Sequence, residues 1–366
     1  MSTTKKKKPP LVTPNPSLPD DLLLSCFARV SRLYYPTLSL VSKTFQSLLA
    51  SPELYKTRSS IGRTESCLYV CLKSHPDPIP RWYTKKSSGY VLAKIPTSHS
   101  GPVHWSGLAT VGSDIYNIGG PINDDKDPSS RVLIMDSRSN RWREGPSMLV
   151  KRRYPVTSVF DGKIYVAGGC KDCSSSSEWM EVFDPKKQTW ELVSSPGTEI
   201  CGCNYVSKSA GFDGKVYIFG RGNGLAYKPR EGEGRWDSMG TEMDMGRAWV
   251  SYCVIKNILL YYHERDREFK WYDYKGRFWR KLMGLERLVK FLCYSRVNLA
   301  DYGGKMAVLW DTFVPGSGSK NKMIWCAEVS LESHEVYDIC GEIEWFDVVL
   351  RVSKSYELVH VIAATV

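Results

Sequence analysis

Three times in this chain an aspartate stands six residues before a tryptophan: Asp136 and Trp142 in DSRSNRW, Asp184 and Trp190 in DPKKQTW, Asp273 and Trp279 in DYKGRFW. Upstream, GSDIYNIGG closes on Gly119 and Gly120, DGKIYVAGG on Gly168 and Gly169, and DGKVYIFGRG carries Gly220 and Gly222. One unit of alternating apolar residues, glycine, aspartate turn and tryptophan therefore recurs at a period of about fifty residues, which marks a stacked repeat architecture and not an ordinary domain. Each aspartate opens a hairpin turn (Ser-Asn, Pro-Lys or Lys-Gly) in which its side chain can accept backbone N–H groups. The tryptophan then starts an outer strand. Paired glycines leave room for a bulky group beside the backbone, so aromatic rings are expected to wedge between neighbouring units. Tryptophans at this period are core elements and not a carbohydrate-stacking surface.

Degenerate copies complete the count. Trp236 in REGEGRWDSMG closes a third repeat without the aspartate, Trp279 closes a fourth without the glycine pair, and Gly303 to Trp310 opens a fifth. The stretch CLYVCLKSHPDPIPRWYTKKSSGYVLAKI reads as three strands and the terminal YELVHVIAAT as one. Three plus one makes a sixth unit, and closing a ring with strands from both ends removes its free edges. The expectation for residues 66–366 is an all-β propeller of six four-stranded blades.

Ahead of it the texture differs. Residues 1–16, with Lys5 to Lys8 and lone prolines, read as a disordered basic leader. In SLPDDLLLSCFARV two acids follow Pro19, and Leu22, Cys26 and Val30 recur at helical spacing. A second helical run holds Leu38, Val41, Phe45, Leu48 and Leu49, and Ser51-Pro52-Glu53 offers a cap, a first-turn proline and an acid for a third helix. Three short helices thus fill residues 17–61. They carry more apolar side chains than so small a unit can bury, which points to a docking face.

SLPDDLLLSCFARVSRLYYPTLSLVSKTFQSLLASPELY resembles the F-box, with its Leu-Pro start, its acid-acid-leucine step and its later Leu-x-x-Val-Ser-Lys-x-Phe. The fifty-residue units resemble the kelch repeat. The chain is thereby similar to the plant-type F-box/kelch-repeat proteins. That resemblance implies docking of a Skp-type adaptor, and a cullin through it, with the propeller capturing a target protein for ubiquitination. The adaptor-facing set it implies is Leu18, Pro19, Leu22, Leu38, Val41, Ser42 and Phe45, the last standing where the family often has tryptophan.

If strand direction alternates within each blade, the connections between second and third strands and those between blades emerge at one end. The irregular segments Pro121 to Arg131, Cys170 to Glu178, His263 to Glu268 and Thr312 to Lys322 collect there. So do Arg131, Lys151, Arg152, Arg153 and Arg247, which as a group could converge on a carboxylate or phosphate of an acidic target.

The charge pattern fits either an acidic partner or a solvated face whose alternating signs, as in HERDREFK, keep a β edge soluble. Of the formal net charge of +11, four charges come from Lys5 to Lys8, and Gly246 to Arg296 holds twelve Lys or Arg against five Asp or Glu. The basic stretch lacks a nucleic-acid reading motif and its aromatics fall where blades need them, which argues against a nucleic-acid binder; a scaffold without a ligase role is the other alternative. No cofactor, metal or catalytic role is expected. The six histidines lack paired ligand spacing, no phosphate loop or nucleophile elbow occurs, and Cys170, Cys173, Cys201 and Cys203 fit zinc spacing poorly. No run of 18 apolar residues is present and no apolar stretch precedes Leu22, so neither membrane insertion nor secretion is expected. Eleven cysteines then read as mostly buried reduced thiols in cytoplasm or nucleus, with Lys5 to Lys8 a candidate import signal.

Overall fold

In the computed structural model the chain divides into two units, Met1–Thr64 and Glu65–Val366. Described are residues 18–74, 77, 79–85, 91–95, 106–120, 127–170, 178–194, 206–220, 224–229, 234–240, 251–292, 296–315, 320–334 and 338–366. The expected leader at 1–16 lies outside them.

The N-terminal unit is helical. Helix α1 (Asp20–Arg29) starts behind Pro19 with Asp20 and Asp21 in its first turn, where the helix dipole favours acids. A 3-10 turn (Arg32–Tyr34) leads into α2 (Tyr35–Leu38), and α3 (Lys43–Leu49) and α4 (Pro52–Ser60) follow. The single helix expected from Leu38 to Leu49 is therefore two. Ser42 is extended (φ −161°, ψ 163°), and its hydroxyl accepts the Phe45 N–H, so it ends one element and caps the next. Ser51 caps α4 in the same way, with Pro52 first and Glu53 in the opening turn, as the sequence indicated. Phe27, Ala28, Tyr35, Leu49 and Leu54 form the core. Arg58 of α4 is buried among them. Its guanidinium donates to Val30 O (2.7 Å) and the Tyr35 hydroxyl (2.9 Å), and Tyr35 donates to Phe27 O (2.9 Å). A cation thus satisfies carbonyls at the α1 C-terminus, where the dipole favours positive charge.

The second unit consists of six four-stranded antiparallel sheets. Blade 1 takes Tyr356–Thr365 as its inner strand, followed outward by Ser66–Ser74, Arg81–Lys85 and Leu92–Lys94. Blade 2 runs Gly107–Val111, Asp114–Ile118, Val132–Asp136, Arg141–Glu144, and blade 3 runs Val156–Phe160, Lys163–Ala167, Met180–Asp184, Thr189–Val193. Blade 4 runs Val206–Phe212, Lys215–Gly220, Gly224–Lys228, Arg235–Gly240. Blade 5 is Tyr252–Ile255, Ile258–His263, Glu268–Asp273, Phe278–Lys281; blade 6 is Asn298–Tyr302, Lys305–Phe313, Asn321–His334, Asp338–Ser353.

Each inner strand touches the inner strands of both neighbours, so the ring is closed. The C-terminal strand completes it, pairing Ser66 with Thr365 through to Ser74 with Tyr356, and Glu65 and Val366 exchange both backbone hydrogen bonds beyond its end. This is the mixed blade read from the sequence. The C-terminal strand thereby covers the edge of Ser66–Ser74 that another chain could otherwise extend.

The core is divided in the same way. Six apolar clusters lie one at each blade junction, from blades 1 and 2 (Tyr69, Trp82, Ile115, Met135) round to blades 6 and 1 (Leu68, Val70, Leu309, Cys326). A blade buries its faces only against neighbours, so stability is a property of the closed ring.

Candidate functional site

Two surfaces have to be built: the helical docking face and the loop end of the propeller. On the helical unit, Leu18, Leu22 and Val41 are 57%, 49% and 64% exposed. Leu40 and Tyr34, absent from the expected set, reach 85% and 61%. Both fall off the helical spacing, in the 3-10 turn and in the break before Ser42, which is why periodicity did not mark them. Pro19 and Ser42 are exposed as well. Leu38 and Phe45 are half-buried against the core, and the Phe45 ring meets Phe27 edge-on at 4.8 Å. The aromatic at 45 thus spends one face holding α3 to α1.

The repeat residues take their roles through geometry. The Oδ1 of Asp136 accepts Arg138 N, that of Asp184 accepts Lys186 N and Lys187 N, and that of Asp273 accepts Lys275 N and Gly276 N, all within 3.2 Å. Each turn ends on a left-handed residue four positions on, Asn140, Gln188 or Arg277, at φ 55°, 58° and 58°. The Gly276 N–H, together with the Arg280 guanidinium, holds the Asp273 carboxyl below the usual carboxylate range.

The tryptophans join blades. Trp190 of blade 3 donates its indole N–H to Pro146 O in the preceding link (2.9 Å), and Trp236 of blade 4 donates to Ser194 O in its own preceding link (2.7 Å). Trp142 packs on Trp82 across the junction of blades 2 and 1, and Trp236 on Trp179 across that of blades 4 and 3. Trp279 belongs to the junction of blades 4 and 5. These rings are core elements.

What approaches the glycine pairs is not an aromatic. A Cβ on Gly169 would stand 2.1 Å from Arg153 O, and on Gly120 3.1 Å from Ser106 Cβ. Gly119 faces Met148, Arg152 O and Pro155, and Gly168 faces Val206. The expected aromatic wedge is thus corrected: the pairs, all at positive φ, admit the chain linking one blade to the next.

That link decides the fate of the expected basic cluster. Arg152 has no exposed surface. Its Nε donates to Glu181 Oε1 (2.8 Å), Nη1 to Gly168 O (2.9 Å) and Trp179 O (3.0 Å), and Nη2 to Glu178 O (2.7 Å). Its backbone exchanges bonds with Ser129 of blade 2. Every direction a ligand would need is filled, so the assignment of Arg152 to target binding is overturned. Arg131 pairs with Glu144 at 2.9 Å, and Arg153 lies over the exposed Tyr154 ring at 4.6 Å. Lys151 points to solvent, and Arg247 lies outside the described residues. Arg131, Lys151 and Arg153 share the blade 2 to blade 3 link and its surroundings at the loop end, with Arg131 held by Glu144 and Arg153 by the Tyr154 hydroxyl.

Of the four irregular segments, His263–Glu268 is a tight turn, with Asp266 N bonded to His263 Nδ1 and Arg267 at φ 55°. Residues 121–126, 171–177 and 316–319 of the others lie outside the described residues, as do Cys173, Cys201 and Cys203. Among the described residues no group of three or more His, Cys, Asp or Glu could hold a metal, and no helix is long and apolar enough to cross a membrane. Burial raises the thiols of Cys71 and Cys253 and pushes that of Cys326 up to about 12, which keeps them protonated and unreactive.

Comparison with known proteins agrees with both units. The family model described as "F-box domain" matches residues 16–57, and that described as "FKB95, Kelch-repeats domain" matches residues 70–350. The Arabidopsis thaliana "F-box/kelch-repeat protein At4g39580" is 62% identical over 99% of this chain and 98% of its own length. "F-box/kelch-repeat protein At4g39550" from the same plant is 56% identical over 100% and 98%, and "Putative F-box/kelch-repeat protein At1g19930" 48% identical over 96% of each. With an exposed apolar face on an F-box helical unit and, later in the sequence, a closed ring of six blades, this chain belongs to the F-box/kelch-repeat family.

Proposed function

We propose that this chain is the target-recognition subunit of an SCF-type ubiquitin ligase. Its F-box docks a Skp-type adaptor, a cullin joins through that adaptor, and the loop end of the propeller captures a target protein. The observation that carries this reading is the exposure of Leu18, Leu22, Leu40 and Val41 on a unit that already has its own core of Phe27, Tyr35, Leu49 and Leu54. Apolar side chains left in water beside a completed core are what a partner helix covers. The chain itself then performs no chemistry; it holds a target near a ligase. Cytoplasm or nucleus is the compartment this role calls for.

The test is reconstitution. The full chain mixed with a purified Skp-type adaptor is expected to co-elute as a stoichiometric complex on size exclusion, and with cullin added as a larger one. A Leu18→Ala, Pro19→Ala double variant with unchanged circular dichroism should lose it. A folded wild-type chain that never binds the adaptor would overturn the ligase role and leave a propeller scaffold.

A further inference from the structure

Ring closure deals with the inner strands, and every blade still ends on an outermost strand. Among the described residues no further strand lies beyond it. In five blades this strand is short: Leu92–Lys94, Arg141–Glu144, Thr189–Val193, Arg235–Gly240 and Phe278–Lys281, three to six residues each. In blade 6 it is Asp338–Ser353, of 16 residues. An outer strand of that length offers a row of backbone donors and acceptors on which another chain can pair.

Two bulges interrupt that row. Ile324 pairs with Leu350 and Trp325 with Val348, which leaves Val349 as an extra residue. Glu328 pairs with Trp345 and Val329 with Ile343, which leaves Glu344 as a second. The strand is thereby cut into 338–343, 345–348 and 350–353, runs of six, four and four residues. No run is longer than the outer strands of the other blades. A bulge bends and twists its strand, so the three runs do not present one straight edge. Backbone donors are withdrawn as well: the Asp347 carboxylate accepts the Val348 N–H at 2.6 Å, and Met283 O accepts the Gly341 N–H at 2.9 Å.

The neighbours of Glu344 show what this residue adds. Ile343 packs on the core between blades 5 and 6, and Trp345 on the core between blades 6 and 1. Alternation between the two faces is therefore complete without Glu344, whose side chain is exposed and paired with Lys305 at 2.5 Å. Val349 differs, because it is buried in the core between blades 6 and 1. Glu342, Glu344 and Asp347 are all exposed, so a second copy laid antiparallel over 342–347 would bring Glu342 against Asp347, like charges that destabilise a strand pair.

We propose that Glu344, Val349 and Asp347 form a guard that keeps blade 6 from pairing edge to edge with a second copy of this chain. The long hairpin of blade 6 packs over the junction with blade 5 through Leu331, Ile339 and Ile343, which requires the length. The bulges keep that length from becoming a template. The guard is independent of the adaptor-docking role.

The experiment compares the full chain with a variant that lacks Glu344 and carries Asp347→Thr, by sedimentation velocity at a series of concentrations. The deletion joins 338–343 to 345–348 in one unbroken run, and the mean mass of the variant should rise with concentration toward that of a dimer or beyond. Glu344→Ala alone, which keeps the extra residue and loses only the Lys305 pair, should sediment as the native chain does. Val348→Pro added to the deletion variant removes an edge donor and should abolish the gain. Circular dichroism and thermal denaturation establish that each chain is folded; if the deletion does not fold, Asp347→Thr alone is judged by the same measure. A folded variant no more associated than the native chain, association that survives Val348→Pro, or equal association by Glu344→Ala would each overturn the proposal.

Discussion

The guanidinium of Arg152 and the carboxylate of Glu181 meet at 2.8 Å with neither side chain exposed. Glu181 uses its other oxygen to accept Leu149 N at 2.9 Å, and Arg152 spends its remaining donors on three carbonyls of blade 3. The pair therefore ties the link leaving blade 2 to the end of blade 3.

Removing one member should be costly. Arg152→Ala removes the cation from a buried carboxylate, which keeps only Leu149 N, and takes the guanidinium from Gly168 O and Glu178 O, for which about 3–5 kcal/mol of lost stability is expected. Replacing both residues, with Arg152→Met and Glu181→Leu, should recover much of that loss. Chemical denaturation followed by tryptophan fluorescence reads both, and a double variant as unstable as the single would sink the account. Reversing the charge at Arg152 would test folding and not target capture.

Trp190→Phe keeps an aromatic ring among Phe183 and the blade 2 residues but deletes the bond to Pro146 O. A loss of about 1 kcal/mol is expected, against about 3–5 kcal/mol for Trp190→Ala, which opens a cavity in the junction. Equal losses in the two variants would show that the hydrogen bond, and not the ring, joins these blades.

Asp273 supplies a pH signature. Its carboxyl lies below the usual range in the fold, first through the Gly276 N–H and then through Arg280. The stabilisation is therefore fully present above the unfolded value of about 4 and lost as pH falls through the lower folded value. The stability gap between the native chain and Asp273→Asn should narrow as the medium is acidified from about pH 5 to about pH 3. Denaturation midpoints at a series of pH values report it, and a gap that widens on acidification contradicts the assignment.

Deleting Tyr356–Val366 removes the inner strand of blade 1 and exposes both adjacent junctions. The whole propeller, and not one blade, should lose cooperative unfolding, because each blade is stabilised through its neighbours. A truncated chain that keeps a sharp thermal transition near the native temperature would argue against the ring as the folding unit.

In the F-box unit, surface and core can be separated. Leu22→Asp and Val41→Asp should abolish adaptor binding with helix content unchanged, whereas Phe45→Ala should also cost about 2 kcal/mol of stability through lost contact with Phe27. Circular dichroism and adaptor co-elution on the same samples distinguish the two effects.

Local chemistry was legible in the chain because it repeats or stays local. The Asp136, Asp184 and Asp273 turns need only residues four positions apart, the Ser51-Pro52-Glu53 start only one helical turn, and the six blades follow from counting a fifty-residue unit. Fold, family and the share of strands contributed by each end were therefore readable without coordinates. Partners distant in sequence were not. Nothing in KRRYP tells the buried Arg152 from the outward Lys151, since that depends on Glu181, 29 positions on, arriving across a blade junction. The glycine pairs likewise announced a close approach but not that Arg153 and Ser106 would make it. The link after Lys281 was hidden for the same reason: Leu282 N bonds to Phe269 O of one strand, and Gly341 N of the next blade to Met283 O. Side-chain periodicity records which face a residue shows its own strand, and closure of the ring decides what that face meets.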